Sequence, residues 1–168
     1  MGEILVSPRE LKGGWRKAIR AIALQTREAH RRHPWALTLP STGTSYPGLN
    51  SLRHVEQSLA ALSDSGLDFE GKMALILTVD NYVFGHSLRS LEHDPAETDV
   101  GMDEITAFLA QHVTPADFPE LTAAIGDGTP ADLMAKMATA FDPDEWFDIG
   151  LEAILDGLER HLKIGDGA

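Results

Sequence analysis

Trp146-Phe147-Asp148-Ile149-Gly150-Leu151-Glu152-Ala153-Ile154-Leu155-Asp156-Gly157-Leu158-Glu159-Arg160 decides the fold. The residues just before it carry a helix start signal. Asp142 is placed as N-cap, Pro143 fits the first helical position, and Glu145 closes a capping box. From there Phe147, Gly150, Leu151, Ile154, Gly157, Leu158 and His161 recur at helical spacing and form one apolar stripe. Two of its members are glycines, each costing a helix roughly 1 kcal/mol relative to alanine. Close approach of a second backbone offsets such a cost. The stripe therefore predicts a helix packed tightly on another helix, in part from a second copy of the chain.

Working outward, the chain reads as helix after helix. Residues 1–13 look irregular, punctuated by Pro8 and Gly13-Gly14. A helix is predicted over 15–33, with Trp15, Ala18, Ile19, Ile22, Ala23, Thr26, Ala29 and His30 on its stripe and Pro34 at its end. Trp35–Leu39 is one further turn, and Pro40–Gly48 a loop. Leu49, Leu52, Val55, Leu59 and Leu62 make the next amphipathic helix, with Gly66 as its C-terminal stop. Residues 69–91 are the most apolar helix, hydrophobic over more than one face and hence buried on most sides. His93–Val100 is an acidic loop, followed by a helix over Met102–His112. Pro115, Pro119, Gly126, Gly128 and Pro130 break the next stretch into short pieces, with a turn or two near Leu133–Ala140. No alternating β-pattern, internal repeat or low-complexity tract is visible.

The chain of 168 residues is read as one domain, 1–168, long enough to bury a core. Its formal charge of −12 repels phosphate backbones, so these residues taken alone do not recruit nucleic acid. There is no cysteine, which excludes disulfides and thiolate metal sites and fits a reducing, cytoplasmic setting. No signal-peptide pattern opens the sequence, and no apolar run reaches the length of a membrane span.

Chemical motifs are sparse. Thr42-Gly43-Thr44-Ser45 lacks the lysine and spacing of a phosphate loop. No serine lies in a nucleophile-elbow pattern. His30 and His33 are one turn apart, but Arg27, Arg31 and Arg32 beside them oppose a divalent cation. Glu92, Asp94, Glu97, Asp99, Asp103 and Glu104 lack EF-hand spacing and its glycine, so they read as a solvated acidic stretch. The expectation is no metal, no cofactor and no enzymatic activity. Polar residues within apolar stripes say more: Thr26, His30, Glu56, Asp80, Asn81 and His86. Buried polar groups need partners. They either bond one another, the backbone or a partner subunit, or they line a mostly apolar cavity and orient a small ligand.

The order of these elements resembles the C-terminal ligand-binding and dimerisation domain of TetR-family transcriptional repressors. The match rests on the closing helix with its two Gly-Leu-Glu repeats, on Tyr82, Val83, Phe84, Gly85, Leu88 and Glu92, and on Gly14-Trp15-Arg16 opening a helix that ends Arg32-His33-Pro34-Trp35-Ala36. It covers residues 10–162. The resemblance implies an all-α fold in which the helices at 69–91 and 144–162 pair with their copies as a four-helix bundle. The implied homodimer interface is Tyr82, Gly85, Leu88, Gly150, Leu151, Ile154, Gly157 and Leu158. The implied partner inside the domain is a small, mostly hydrophobic effector. Its lining residues would be Ile22, Thr26, His30, Leu52, Val55, Glu56, Asn81, Phe84 and, from the partner copy, Phe147.

In that family the effector shifts a connecting helix and releases DNA from an N-terminal helix-turn-helix head. Residues 1–13 resemble the tail of that connection, 14–162 the sensing domain and 163–168 a disordered tail. The expectation is therefore a sensor whose DNA-binding head is missing. Leu37-Thr38-Leu39-Pro40 supplies no histidine of the kind that helps hold magnesium–tetracycline, so the resemblance does not extend to a metal-chelated ligand. Two other readings fit the residues. One is a headless protein that forms heterodimers with a full-length relative. The other is an enzyme using His86, Asp80 and Glu56.

Overall fold

Eight helices make up the described structure: α1 (Trp15–Arg32), α2 (Trp35–Thr38), α3 (Leu49–Ala61), α4 (Phe69–Glu92), α5 (Met102–His112), α6 (Pro119–Ile125), α7 (Pro130–Ala140) and α8 (Pro143–Leu162). The structure, a computed structural model, describes residues 5–7, 11–38, 48–92, 101–126, 128–140 and 143–165. Among these there is no strand, and no helix is long and apolar enough to cross a membrane. The all-α expectation holds. The expected loops at 40–47 and 93–100 and the N-cap Asp142 lie outside the described residues. The chain divides into two compact units, Met1–Leu91 with Asp148–Ala168, and Glu92–Phe147.

The first unit holds α1 to α4 and most of α8. Ala18, Ile19, Ile22, Ala23, Thr26 and Ala29 recur every three or four residues and form the buried face of α1. The helix stops at His33, ahead of Pro34, because proline disfavours helical geometry in the residue before it. In α4 the buried row is Leu75, Ile76, Val79, Val83 and Ser87. In α8 Leu151 and Leu155 are completely buried, as is Phe147 at the end of the second unit. Lys163 then adopts a left-handed conformation (φ 55°). The Ile164 amide bonds back to the Glu159 carbonyl at 3.0 Å, the signature of a Schellman stop. Ile164 is buried, so Lys163–Gly165 folds onto the helix end where the sequence alone reads as a disordered tail.

Alpha-helix packing here is also electrostatic. On α8, Asp148, Glu152, Asp156 and Glu159 repeat at helical spacing and face two arginines of α1. Arg16 reaches Glu152 at 2.7 Å, Asp156 at 2.5 Å and Glu159 at 3.1 Å. Arg20 reaches Asp148 at 3.1 Å and Glu152 at 3.0 Å. Hydrogen bonding from Arg16, more than any other influence, holds the Glu152 carboxyl below its usual pKa. A lowered folded-state pKa stabilises the fold above the unfolded value of 4.5 and is lost as pH falls through the folded value. The side chains are partly exposed, so water screens the ladder. Arg16→Ala is therefore expected to cost about 1 kcal/mol at neutral pH. That difference should shrink as pH falls from 4.5 through the lowered folded value, when measured by urea midpoints across an acid series.

The second unit contains α5, α6 and α7, with α7 packed on both others. Its prolines start helices where the sequence reading made them breaks: Pro119 opens α6 and Pro130 opens α7. Thr129 and Asp132 form a reciprocal cap, the Thr129 amide donating to Asp132 at 2.6 Å and the Asp132 amide to Thr129 Oγ1 at 3.3 Å. The expected turn or two near residue 133 is thus a helix of 11 residues.

Helix α3 departs furthest from its sequence pattern. Its buried residues are His54 and Ser58, followed by Leu62 just past its end. The other members of the stripe, Leu49, Leu52, Val55 and Leu59, centre roughly 115° away from that face, at 100° per residue. Leu49 is 64% exposed and Leu52 53%, so neither packs the core of this chain. The C-cap is Leu62, and Gly66, with φ +75°, sits beyond the turn that follows.

Candidate functional site

Polar side chains gather inside the first unit, on the facing sides of α1, α3 and α4. Ile22, Thr26 and His30 occupy three successive turns of α1 on its buried side. Thr26 Oγ1 is buried and has no hydrogen-bond partner among the described residues. One turn on, His30 Nδ1 lies 3.1 Å from Ser87 Oγ of α4, and the imidazole stands edge-on to the Phe84 ring, centroids 6.3 Å apart. Burial pulls the His30 pKa below its ordinary 6.5, opposed by the Asp80 carboxylate and assisted by the His54 imidazole. At neutral pH His30 is therefore uncharged, with one ring nitrogen donating and the other accepting.

Asp80 of α4 and His54 of α3 form the neighbouring pair, Oδ1 to Nε2 at 3.4 Å. Gln57 Nε2 lies 3.4 Å from His54 Nδ1, and Gln57 Oε1 accepts the Val6 amide at 3.0 Å. The arrangement offers an uncharged imidazole, hydroxyls and one carboxylate on helices whose buried rows include Ile22, Val79 and Val83. Such a lining suits a largely hydrophobic molecule fixed by a few hydrogen bonds. Among the described residues no three His, Cys, Asp or Glu side chains cluster as metal ligands.

Of the expected lining residues, Ile22, Thr26 and His30 lie together on α1, with the Phe84 ring against His30. Val55 is half-buried, whereas Leu52, Glu56 and Asn81 are exposed. Glu56 and Asn81 thus lie off the buried faces to which their apolar neighbours had assigned them. Phe147, expected to reach across from a partner, is completely buried within its own chain. His54, Gln57, Ser58 and Ser87 are the polar members that hydrophobic spacing missed. The signal was present in α3 as His54 and Ser58 at i, i+4.

The profile of the tetracyclin repressor-like C-terminal domain matches residues 7–162. The chain belongs to this family. It is also 30% identical over 148 residues to the HTH-type transcriptional repressor DrrR1 of Streptomyces coeruleorubidus, covering 88% of this chain and 52% of that protein. The chain thus spans about half the length of that curated relative. Two solved structures share the fold. One, described as a possible TetR family transcriptional regulator from Streptomyces coelicolor A3(2), has TM-score 0.62 and 23% identity, over 94% of this chain and 69% of that one. The other, a TetR from Streptomyces coelicolor, has TM-score 0.61 and 21% identity, over 90% and 68%.

In this TetR-family domain the residues expected at a dimer interface fall into three groups. Leu151 is completely buried in its own chain, so it packs the core and has no surface for a second copy. Gly150 is covered as well, because a Cβ there would lie 2.8 Å from Cζ and 3.0 Å from Cε2 of Tyr82. Tyr82, Leu88, Ile154 and Leu158 are half-buried. Gly85 on α4 and Gly157 on α8 are different: a Cβ at either meets nothing within 4 Å among the described residues. Around them Ala74, Thr78, Ile149 and Ala153 are exposed, giving α4 and α8 each an uncovered face of small and apolar residues. Leu77 at 53% and Ile149 at 52% exposure are large apolar side chains left in water.

Proposed function

We propose that this chain is the effector-sensing and dimerisation domain of a TetR-family transcriptional repressor, acting in the cytoplasm as a homodimer. The effector is a small, mostly hydrophobic molecule that enters the cluster of Ile22, Thr26, His30, Phe84 and Ser87. The observation that carries this reading is the Thr26 hydroxyl, buried with no hydrogen-bond partner among the described residues. An unsatisfied buried hydroxyl costs about 1–3 kcal/mol, which a ligand hydrogen bond recovers. His30, held neutral by burial, supplies the second polar anchor.

Dimerisation runs through the open faces of α4 and α8, where Gly85 and Gly157 admit a second backbone. DNA is contacted through a helix-turn-helix head of the kind that names the repressor relative. Effector binding acts by population shift: it stabilises whichever dimer geometry it binds more tightly.

The test is thermal unfolding of wild type and Thr26→Val against a panel of lipophilic compounds carrying one or two hydrogen-bonding groups. Without compound, Thr26→Val should be more stable by about 1 kcal/mol, because the unpaired hydroxyl is gone. With compound, wild type should gain melting temperature and the variant should gain less. Equal shifts in both proteins, or none in wild type, would remove the cluster as the effector site.

A further inference from the structure

We propose that the effector is an organic cation, a lipophilic molecule whose protonated amine is held by the Asp80 carboxylate and the Phe84 ring. The proposal rests on reading the cluster as the effector site and adds the charge of what enters it. Asp80, Phe84 and Ser87 are spaced i, i+4 and i+7 on α4, so they fall within about 60° of one another around the helix. They run along one edge of the buried row of Leu75, Ile76, Val79 and Val83. At one end of this edge Phe84 and Ser87 meet His30 of α1. At the other end Asp80 meets His54 of α3.

Asp80 differs from the carboxylates that α8 turns toward α1. Those engage arginine, Glu152 both Arg16 and Arg20, Asp156 and Glu159 Arg16, Asp148 Arg20. Asp80 has His54 as its one ion-pair partner among the described residues, through Oδ1 at 3.4 Å. Its second oxygen, Oδ2, has no hydrogen-bond partner among them. The buried Arg27 of α1 interacts electrostatically with Tyr82, which lies on the opposite edge of the buried row of α4. The Asp80 carboxylate acts on His30, but burial holds that imidazole neutral, so it supplies no counter-charge.

This open charge selects an amine for three reasons. Asp80 is half-buried, so an incoming group can reach Oδ2 while water screens it only in part. One turn on, Phe84 presents an exposed aromatic ring, and a cation is drawn to a ring face. A metal ion would need further donors, and among the described residues no such set gathers. An anion would be repelled, and a neutral alcohol would gain nothing from the charge. Thr26 Oγ1, buried without a partner among the described residues, remains for a second polar group of the same molecule.

NMR titration of the whole chain with phenethylamine, phenethyl alcohol and phenylacetate tests this, since the three share an apolar body and differ in charge. Phenethylamine should shift the Asp80 and Phe84 amides to saturation. It should bind about tenfold more tightly than the alcohol, the joint effect of a partly exposed ion pair and a cation on a ring. Phenylacetate should bind more weakly than the alcohol. Asp80→Asn keeps the shape and removes the charge, and should bring the amine-to-alcohol affinity ratio to about one. Phe84→Leu should lower that ratio about threefold, which gives a second variant independent of any loss of folding at Asp80. A ratio near one in wild type, a ratio unchanged by Asp80→Asn in folded protein, or no saturable shift with the amine overturns the proposal. Thr26→Val separates it from the reading beneath it. Alcohol binding that depends on Thr26 without a preference for the amine keeps the effector cluster and overturns the cation. An amine preference that depends on Asp80 but not on Thr26 supports the cation and removes Thr26 from the site.

Discussion

Leu151→Ala is expected to lower the unfolding free energy by about 3 kcal/mol, within the range for buried leucines. The side chain is completely buried, as is that of Leu155 one turn later. Truncation removes buried methyl groups and leaves a cavity that the rigid helix backbone cannot close. Denaturant titration at low and high protein concentration checks the assignment. A core residue gives the same loss at both concentrations. A residue that served mainly a subunit interface would give a loss that fades on dilution, and a change under about 1 kcal/mol would contradict its place in the core.

The two glycines of α8 are expected to respond with opposite signs. At Gly150 the added methyl of alanine overlaps the Tyr82 ring, and overpacking costs about 1–3 kcal/mol. That outweighs the roughly 1 kcal/mol of helix propensity gained. Gly150→Ala should therefore destabilise, and removing the obstacle with Tyr82→Ala should turn the same substitution favourable in a double-mutant cycle. At Gly157 an added Cβ meets nothing within 4 Å among the described residues. Gly157→Leu should then stabilise the folded chain by roughly 0.8 kcal/mol through propensity alone. The same leucine would stand in the path of a second subunit. It should raise the dimer dissociation constant about 30-fold or more, equivalent to about 2 kcal/mol.

Much of this architecture is legible in the sequence because most of its helices bury a continuous apolar row. Residues 69–91 and 144–162 are read within a residue of α4 and α8 for that reason. Leu151 shows where spacing stops short. The stripe through Phe147, Gly150, Leu151 and Ile154 is wide enough to serve both a core and an interface. Nothing in the periodicity says which edge faces inward. The structure divides it, with Leu151 and Leu155 inside and Gly157 on the open flank.

Helix α3 shows the converse failure. Its leucines mark one face, yet the buried face carries His54 and Ser58, because those polar groups find partners in Asp80, Gln57 and the α3 backbone. Hydrophobicity alone does not register a polar side chain whose burial is offset by hydrogen bonds. At Pro119 and Pro130 the expected breaks are also helix starts. Proline ends a helix from inside but begins one from the first position, and the Thr129–Asp132 cap was the local signal that favoured a start.

Light scattering across a dilution series reads directly whether the open faces of α4 and α8 pair with a second copy. Wild type is expected at twice the 18.3 kDa mass of one chain at micromolar concentration, with Gly157→Leu folded but shifted toward the single-chain mass. Wild type at the single-chain mass throughout, or a Gly157→Leu variant that dimerises as tightly as wild type, would contradict this pairing.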